Sequence, residues 1–298
     1  MSKLIKKRLQ RVGLTKKQAN WVLALVTMGW GLSYILLKIE INHIPPLSLI
    51  ALRFSLASVI LFLFFHQRVR TRTTLRAIQY GASLAIVMFV LIACLLLGMR
   101  TTEASTAGFL TCTAIVFVPI MQAILKRRLP TRPIVIGTIA TTIGIALLSL
   151  KGSLILSSGA LLCLAAAFLY AVHIILTDRL THGADSFLIG FWQLVFIGLF
   201  AAIGTLLFET PTLPHNRIEW LALLGLAFFC SALTFALQPI GQKYTTPEHT
   251  ALIFSLEPVF AAVFAFIALG EVLTTQAYIG ALLILGSVIL TAKEDASQ

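Results

Sequence analysis

Long apolar runs, separated by short polar segments, make up nearly the whole chain. An α-helix needs about 20 apolar residues to cross the hydrocarbon core of a bilayer, which is about 30 Å thick. The pattern therefore predicts an all-α integral membrane protein with ten transmembrane helices. The predicted spans are 20–38, 48–66, 77–98, 103–125, 133–150, 157–177, 187–208, 218–240, 247–269 and 274–292.

One polar heptad occurs twice, and each copy opens an apolar run. The segment 101–107, Thr-Thr-Glu-Ala-Ser-Thr-Ala, returns 144 residues later at 245–251 as Thr-Thr-Pro-Glu-His-Thr-Ala. Arg53 aligns in a similar way with Gln193, at an offset of 140. Each half then holds five spans, and because five is odd, the second half must enter the bilayer facing the other way. The sequence therefore predicts two inverted five-helix repeats.

We expect the following organisation along the chain. Residues 1–19 form a basic cytoplasmic segment, and 20–151 form a first five-span repeat. Residues 152–292 form a second five-span repeat, and 293–298 form a short cytoplasmic tail. The fifth and tenth spans carry small residues seven apart, Gly137 and Gly144 in one and Gly280 and Ser287 in the other. Such stripes let helices approach closely in lipid, either within one chain or between two, so the oligomeric state stays open.

Composition narrows the functional classes. With 58% hydrophobic and 11% charged residues, the 298-residue chain has no room for a soluble catalytic domain beside ten spans. It holds no Walker loop, no His-Glu-x-x-His and no Gly-x-Ser-x-Gly motif, so we expect neither a nucleotide-driven pump nor a typical hydrolase. The four cysteines fall inside predicted spans, and we infer no disulfide, metal site or cofactor.

The number of lysine and arginine residues alternates between high and low in successive connections between the predicted spans. If the N-terminus is cytoplasmic, eighteen of the 23 basic residues lie on that side, four lie outside and Arg53 lies within a span. This asymmetry predicts a cell-membrane protein with both termini in the cytoplasm. It also accounts for the net charge of +12 without a nucleic-acid partner. Residues 3–12 form either a short amphipathic helix on anionic lipid or a basic tail; both interpretations stay open.

Two charged residues lie well inside predicted spans, away from the span ends. Glu257 is about ten residues into the ninth span and so near the bilayer centre. It is a candidate for binding substrate and for proton coupling, or it has a structural role beside the helix break at Pro258. Arg53 either binds a substrate carboxylate or reaches outward and to backbone carbonyls of its neighbours. A contact between Arg53 and Glu257 would satisfy both charges.

The other candidate side chains are aromatic or neutral polar. Trp30 and Tyr34 share one face of the first span, and Tyr170 and Trp192 are the corresponding candidates in the second half. These four suit a pocket for amphipathic or cationic solutes, and packing between helices is the alternative explanation. His173 is a candidate proton relay. Hydrogen bonding between helices is the alternative role of both His173 and the substrate-binding candidate Gln238.

Several short motifs occur in a characteristic order. They are Gly29-Trp30-Gly31 with Lys38, Pro46 followed by Arg53, Ala104-Ser105-Thr106-Ala107, Glu257-Pro258, Gly270-Glu271 with Leu273-Thr274, and Gly280. In this order the chain resembles the drug/metabolite transporter superfamily, specifically its EamA-type members. The first half departs from the pattern, with Lys126-Arg127-Arg128-Leu129 where the second has Gly270-Glu271-Val272-Leu273.

The resemblance implies a ten-span transporter of small metabolites, often amino acids or drugs and often working outward. We therefore expect a secondary transporter that exports a small metabolite by alternating access, with membrane lipids around it and protons as a candidate coupling ion. A flippase of the same fold for lipid-linked solutes is the alternative, and an integral membrane enzyme is a weaker one.

Overall fold

A computed structural model describes residues 14–40, 43–99, 101–102, 104–149, 158–270 and 274–295, and these residues are helical apart from short turns. Within them, ten spans are long and apolar enough to cross a membrane, which confirms the predicted number. In chain order, the first to tenth spans are Lys16–Glu40, Pro46–Arg72, Leu75–Met99, Thr106–Lys126, Arg132–Ser149, Ser158–Thr181, Ser186–Phe208, Arg217–Gln242, Pro247–Ala268 and Thr275–Ala292. The predicted helix at 3–12 lies outside the described residues.

The spans begin where local signals place them. Gln18 Oε1 accepts a hydrogen bond from the Thr15 amide at 2.9 Å, and the Gln18 amide donates to Thr15 Oγ1 at 3.3 Å. This is a capping box at the start of the first span. Thr246 caps the ninth span by accepting from the His249 amide at 3.3 Å, and Pro247 follows at the first helical position.

Four of the ten spans in the described part of the chain depart from a continuous α-helix. The second span is kinked at Phe65 (φ −125°, ψ 24°). The fourth consists of helices Ala104–Cys112 and Ala114–Lys126, and the ninth consists of Pro247–Phe254 and Glu257–Leu269. The eighth contains a π-helical turn at Phe228–Ala232, between Arg217–Ala227 and Leu233–Gln242. The fourth and ninth spans are counterparts in the two repeats, so both halves carry a break at matching depth.

Contacts between span ends show which ends of the second, fourth, seventh and ninth spans lie on the same face of the bundle. Arg68 near the end of the second span pairs with Asp185 before the seventh at 2.9 Å, and Lys126 at the end of the fourth pairs with Glu248 at the start of the ninth at 3.5 Å. We call this face of the bundle the basic end. At the opposite end, Glu209 after the seventh span accepts from the Ser48 amide at 2.9 Å.

The first repeat begins at the basic end and the second at the opposite end. Gly241, at the end of the eighth span, lies against Leu23 near the start of the first; a Cβ on Gly241 would meet the Leu23 side chain at 2.9 Å. Gly98, at the end of the third span, lies against Gly159 near the start of the sixth, where a Cβ on Gly98 would meet the Gly159 carbonyl oxygen at 2.8 Å. The repeats are therefore inverted.

Packing follows the same two-fold relationship. The first span packs against the eighth and ninth, and its counterpart, the sixth, packs against the third and fourth. The second span packs against the seventh and the fifth against the tenth, so each of these pairs lies on the two-fold axis. At the fifth–tenth contact, a Cβ on Gly144 would lie 2.8 Å from the Ile284 side chain, and Thr141 and Ser287 share a hydrogen bond. The predicted small-residue stripes meet within one chain.

The backbone has the same left-handed conformation after the fourth and after the ninth span, although the residues at these two positions differ. After the fourth span the chain turns through Arg127 (φ 53°), and after the ninth it turns through Gly270 (φ 67°), 143 residues later. Glycine adopts this left-handed conformation at no steric cost, whereas a non-glycine residue is strained in it. The substitution of arginine in the first half places a run of positive charge at the basic end.

Candidate functional site

A small cavity lies between the breaks of the fourth and ninth spans, close to the middle of the bundle. Its volume is about 20 Å³, room for about one water molecule. The fourth span contributes Cys112, Ala114 and Ile115, the ninth contributes Ala251, Phe254, Ser255 and Glu257, and the sixth contributes Tyr170 and Ile174. Helix breaks that meet at the repeat interface are where secondary transporters bind their solutes. We call this the central cavity.

Glu257 opens the second helix of the ninth span, beside the cavity. Its Oε1 accepts a hydrogen bond of 3.0 Å from the hydroxyl of Tyr34 on the first span. A carboxylate in the first turn of a helix is also stabilised by the helix dipole. Tyr34 is 52% exposed and Glu257 is half-buried, so the pair lies at an accessible surface of the bundle.

Glycine on the first span allows this contact. Gly31 lies directly against the ninth span: a Cβ there would come within 2.6 Å of Phe260 Cβ, 2.9 Å of the Ala261 nitrogen and 3.1 Å of the Glu257 carbonyl oxygen. No larger residue fits without displacing the backbone of the ninth span. The hydrogen bond between Tyr34 and Glu257 therefore depends on the close approach of the first and ninth spans at this glycine.

Aromatic rings form one wall of the site. The Trp30 ring, 8% exposed, has its centroid 4.9 Å from that of Phe254, 6.3 Å from that of Phe235 and 6.5 Å from that of Tyr170. Tyr170 stacks on Phe254 with an interplanar angle of 10°. Four spans thus supply one aromatic cluster. Trp30 and Tyr170 were candidates from the sequence, whereas Phe235 and Phe254 had no signal that set them apart from the other phenylalanines.

Arg53 binds the π-helical turn of the eighth span. Its Nε donates to Ser231 Oγ at 2.6 Å, one terminal nitrogen donates to the Cys230 carbonyl oxygen at 3.0 Å, and the guanidinium lies 5.3 Å from the Phe54 ring centre. A π-helical turn changes the usual backbone pairing, and such turns are frequent at functional sites. Arg53 and Glu257 make no direct ion pair: Arg53 bonds Ser231 and Cys230, whereas Glu257 bonds Tyr34.

The remaining polar candidates lie nearer the basic end. His173 Nε2 is 2.7 Å from Gln193 Nε2, and both side chains are buried. Gln238 Nε2 donates to Gln242 Oε1 at 2.9 Å, and Gln242 Nε2 donates to the Ile174 carbonyl oxygen at 3.1 Å. These bonds join the sixth span to the seventh and eighth. They make a closed polar layer on the basic side of the central cavity.

Trp192 lies apart from the aromatic cluster. Its indole nitrogen donates to Thr73 Oγ1 at 3.4 Å, next to the basic end, and its ring packs against Phe191 and Phe196. The structure therefore places four of the sequence candidates close to one another: Trp30, Tyr34, Tyr170 and Glu257. Arg53 lies nearby. His173 and Gln238 lie in the polar layer, and Trp192 lies beyond it.

Comparison with known proteins gives a consistent result along the whole chain. The model of the EamA-like transporter family matches residues 18–150 and 157–293. An uncharacterized transporter of Archaeoglobus fulgidus is 29% identical over 282 residues, covering 94% of this chain and 87% of that protein. A probable amino-acid metabolite efflux pump of Salmonella typhimurium is 27% identical over 288 residues, covering 92% and 94%.

Two further matches extend this pattern. A probable amino-acid metabolite efflux pump of Escherichia coli is 28% identical over 277 residues, covering 88% of this chain and 90% of that protein. One solved crystal structure shares the fold with a TM-score of 0.80 at 18% identity, over 94% of this chain and 98% of that one.

Proposed function

This chain belongs to the EamA-like transporter family, and we propose that it is a secondary transporter that exports a small amino-acid-like or drug-like metabolite by alternating access. Its family and its ten apolar spans show that it is a multi-pass membrane transporter. Two relatives named as amino-acid metabolite efflux pumps support the solute class and the outward direction.

One observation carries the proposal: the breaks of the fourth and ninth spans meet at a small cavity lined by Glu257. The carboxylate is a partner for an ammonium group or a proton, and the rings of Trp30 and Tyr170 beside it suit a cation or an apolar side chain. A solute carboxylate would be attracted by Arg53. The site thus offers complementary groups to a zwitterion.

Burial differs between the two sides of the site, which supports a state closed toward the basic end. The polar layer of His173, Gln193, Gln238 and Gln242 is almost completely buried, whereas Tyr34 is half exposed. Rocking of the two repeats would open the basic end and close the other. By the distribution of lysine and arginine, the basic end faces the cytoplasm.

Proton coupling is the second part of the proposal. Glu257 is the group that would exchange a proton for solute, because one carboxylate cannot hold both at once. His173, on the same span as Tyr170 and one turn nearer the basic end, is the residue through which that proton would pass. Because Gln193 Nε2 donates to His173 Nε2, the neutral ring carries its hydrogen on Nδ1, and this buried Nδ1–H has no acceptor among the described residues, so it is the proton that could be passed on.

Counterflow into vesicles tests the function. Purified protein would be reconstituted, loaded with each member of a metabolite panel and assayed for exchange of the labelled solute at two pH values. We expect exchange of at least one amino-acid-like solute, with loss of solute-driven proton movement in Glu257→Gln. Glu209→Gln is the matched control, because Glu209 caps a span at the opposite end. No exchange across the panel would overturn the proposal.

A further inference from the structure

A second, larger cavity lies at the basic end of the same two spans. Its volume is about 190 Å³. It is lined by the end of the fourth span, the connection after it, the start of the fifth span, the start of the ninth span and one residue of the tenth. These residues are Pro119, Gln122, Ala123, Lys126, Arg128, Leu129, Pro130, Thr131, Pro133, Ile134, Thr246, Glu248, His249 and Thr291. None of these described residues lines the central cavity. We call this second cavity the vestibule.

The vestibule and the central cavity lie end to end. On the fourth span, Ile115 lines the central cavity and Pro119, one turn further, lines the vestibule. On the ninth span, Ala251 lines the central cavity and Glu248, one turn earlier, lines the vestibule. From Glu248 to Glu257 is nine residues, or about 14 Å along a helix. The two cavities are therefore separated by the contact between the fourth and ninth spans.

Opposite charges face each other across the vestibule. Lys126 Nζ lies 3.5 Å from Glu248 Oε1, while Oε2 of the same carboxylate is buried without a hydrogen-bond partner among the described residues. Arg128 adds a second positive charge to the wall. His249 holds the opposite wall in place, since Nε2 is 2.9 Å from the Thr291 carbonyl oxygen and Nδ1 is 3.1 Å from Thr246 Oγ1.

We infer that the vestibule is an entry site for a small zwitterion, which binds by replacing the ion pair between Lys126 and Glu248. The ammonium group of the zwitterion takes the place of Lys126 on the Glu248 carboxylate, and once the ion pair has opened it also becomes a donor to Oε2, which has no partner among the described residues. Its anionic group binds Lys126 and Arg128. This inference rests on the proposed function, because it identifies where the exported solute first binds.

The exchange has a physical reason. A buried carboxylate that loses its partner is costly, so an ion pair opens readily only when a ligand supplies the lost charge. A zwitterion supplies both charges at once, whereas a simple amine or acid leaves one side uncompensated. The cavity is also smaller than the 300–1,000 Å³ typical of sites for drug-sized ligands, which favours a compact solute.

Opening of the ion pair would loosen the contact that separates the two cavities. Lys126 and Glu248 join the ends of the fourth and ninth spans, the same spans whose breaks form the central cavity. A zwitterion that separates these two side chains thus favours movement of the repeats apart at the basic end. Solute binding in the vestibule would then precede its entry to Glu257.

Equilibrium binding to the full-length protein tests this inference. The protein would carry Glu257→Gln to silence the central cavity and would be held in phosphatidylglycerol nanodiscs, which contain no zwitterionic headgroup. The probes are tritiated glycine, leucine, glutamine, threonine and phenylalanine. For leucine, the matched probes isopentylamine and 4-methylpentanoate each lack one of the two charges. We expect at least one amino acid to bind, and leucine to bind more tightly than either matched probe.

Variants of residues that line the vestibule test whether the amino acid binds there. Glu248→Gln and Lys126→Gln should each weaken it by about ten- to hundredfold, the loss expected for one charge-assisted hydrogen bond. Glu248→Asp, which keeps the charge, should retain the preference for zwitterions. Arg132→Gln is the control, because it removes a positive charge from the same end without lining the vestibule. Wild-type affinity in Glu248→Gln, or binding of none of the five amino acids, would overturn the inference.

Two further comparisons distinguish a failure of this inference from a failure of the proposed transport function. If phosphatidylethanolamine in the nanodisc abolishes amino-acid binding, the vestibule holds a lipid headgroup, and the inference of an entry site for free solute is wrong. If counterflow succeeds in wild-type protein and in Glu248→Gln with equal affinity, the transport function stands and the vestibule is not its entry site. If binding to the vestibule is found but counterflow fails for every solute, the proposed function fails instead.

Discussion

The hydroxyl of Tyr34 donates a hydrogen bond of 3.0 Å to the carboxylate of Glu257, and it thereby joins the first span of one repeat to the ninth span of the other. The contact lies beside the cavity where the fourth and ninth spans break. Under the proposed alternating access, this bond would form and break as the repeats move, and it would link the chemistry of the site to the relative position of the two halves.

Tyr34→Phe should lower transport while leaving the fold intact. A hydrogen bond to a charged group contributes about 1.5–3 kcal/mol, so its loss should reduce the solute affinity or the rate by about tenfold or more. Initial rates of counterflow at several solute concentrations measure this. Tyr278→Phe is the matched control, because Tyr278 is an exposed residue of the tenth span. Equal effects of both substitutions would contradict a special role of Tyr34.

Gly31→Ala should destabilise the protein and reduce transport. The new Cβ would meet Phe260 Cβ at 2.6 Å and the Ala261 nitrogen at 2.9 Å, and such overpacking costs about 1–3 kcal/mol. Gly286→Ala provides the control, since no described atom lies within 4 Å of a Cβ built there. Thermal unfolding in detergent compares the two variants. A melting temperature as high as that of Gly286→Ala would argue against tight packing at Gly31.

Arg53→Lys should be less stable than the wild type. Lysine cannot reproduce the two directed bonds from the guanidinium to Ser231 and to the Cys230 carbonyl, and each such charge-assisted bond contributes about 1.5–3 kcal/mol. We expect a lower melting temperature and weaker binding of anionic or zwitterionic solutes. Arg76→Lys, at an exposed position of the third span, serves as the control. Unchanged stability in Arg53→Lys would show that the π-helical turn does not depend on Arg53.

Labelling of single cysteines tests the orientation. In a background without the native cysteines, Leu129→Cys at the basic end should react with an impermeant maleimide only in inside-out vesicles. Leu213→Cys, in the connection between the seventh and eighth spans, should react in intact cells. Both side chains are exposed, so access is not limited by packing. The reverse pattern of labelling would place the basic end outside the cell.

The repeated sequence predicted the parts of the fold that depend on local pattern. Ten apolar runs, the caps at Thr15 and Thr246 and the small faces around Gly144 each have a direct signal, and each is present in the structure. The span ends were predicted less well. The second span was expected at 48–66; its helix is kinked at Phe65, close to that predicted end, and then continues to Arg72, where the backbone turns at Thr73 (ψ 125°).

The candidate site could be predicted from the sequence only in part. Glu257 was identifiable because a charged residue within an apolar run is costly. Phe235 and Phe254 were not, since an aromatic residue on a span carries no mark of which neighbour it will face. The π-helical turn also has no sequence signal, so the binding of Arg53 to Ser231 and Cys230 required the structure. The vestibule is formed by both repeats and was equally inaccessible to sequence patterns.

Reactivity of Cys112 tests alternating access most directly. This native thiol lines the central cavity, and Cys94, Cys163 and Cys230 can be replaced so that it is the remaining cysteine. A small impermeant thiosulfonate would be applied to oriented vesicles from either side, with and without a transported solute. We predict modification from both sides, with protection by saturating solute. Modification from one side alone, unchanged by solute, would contradict a cavity that opens alternately to the two faces of the membrane.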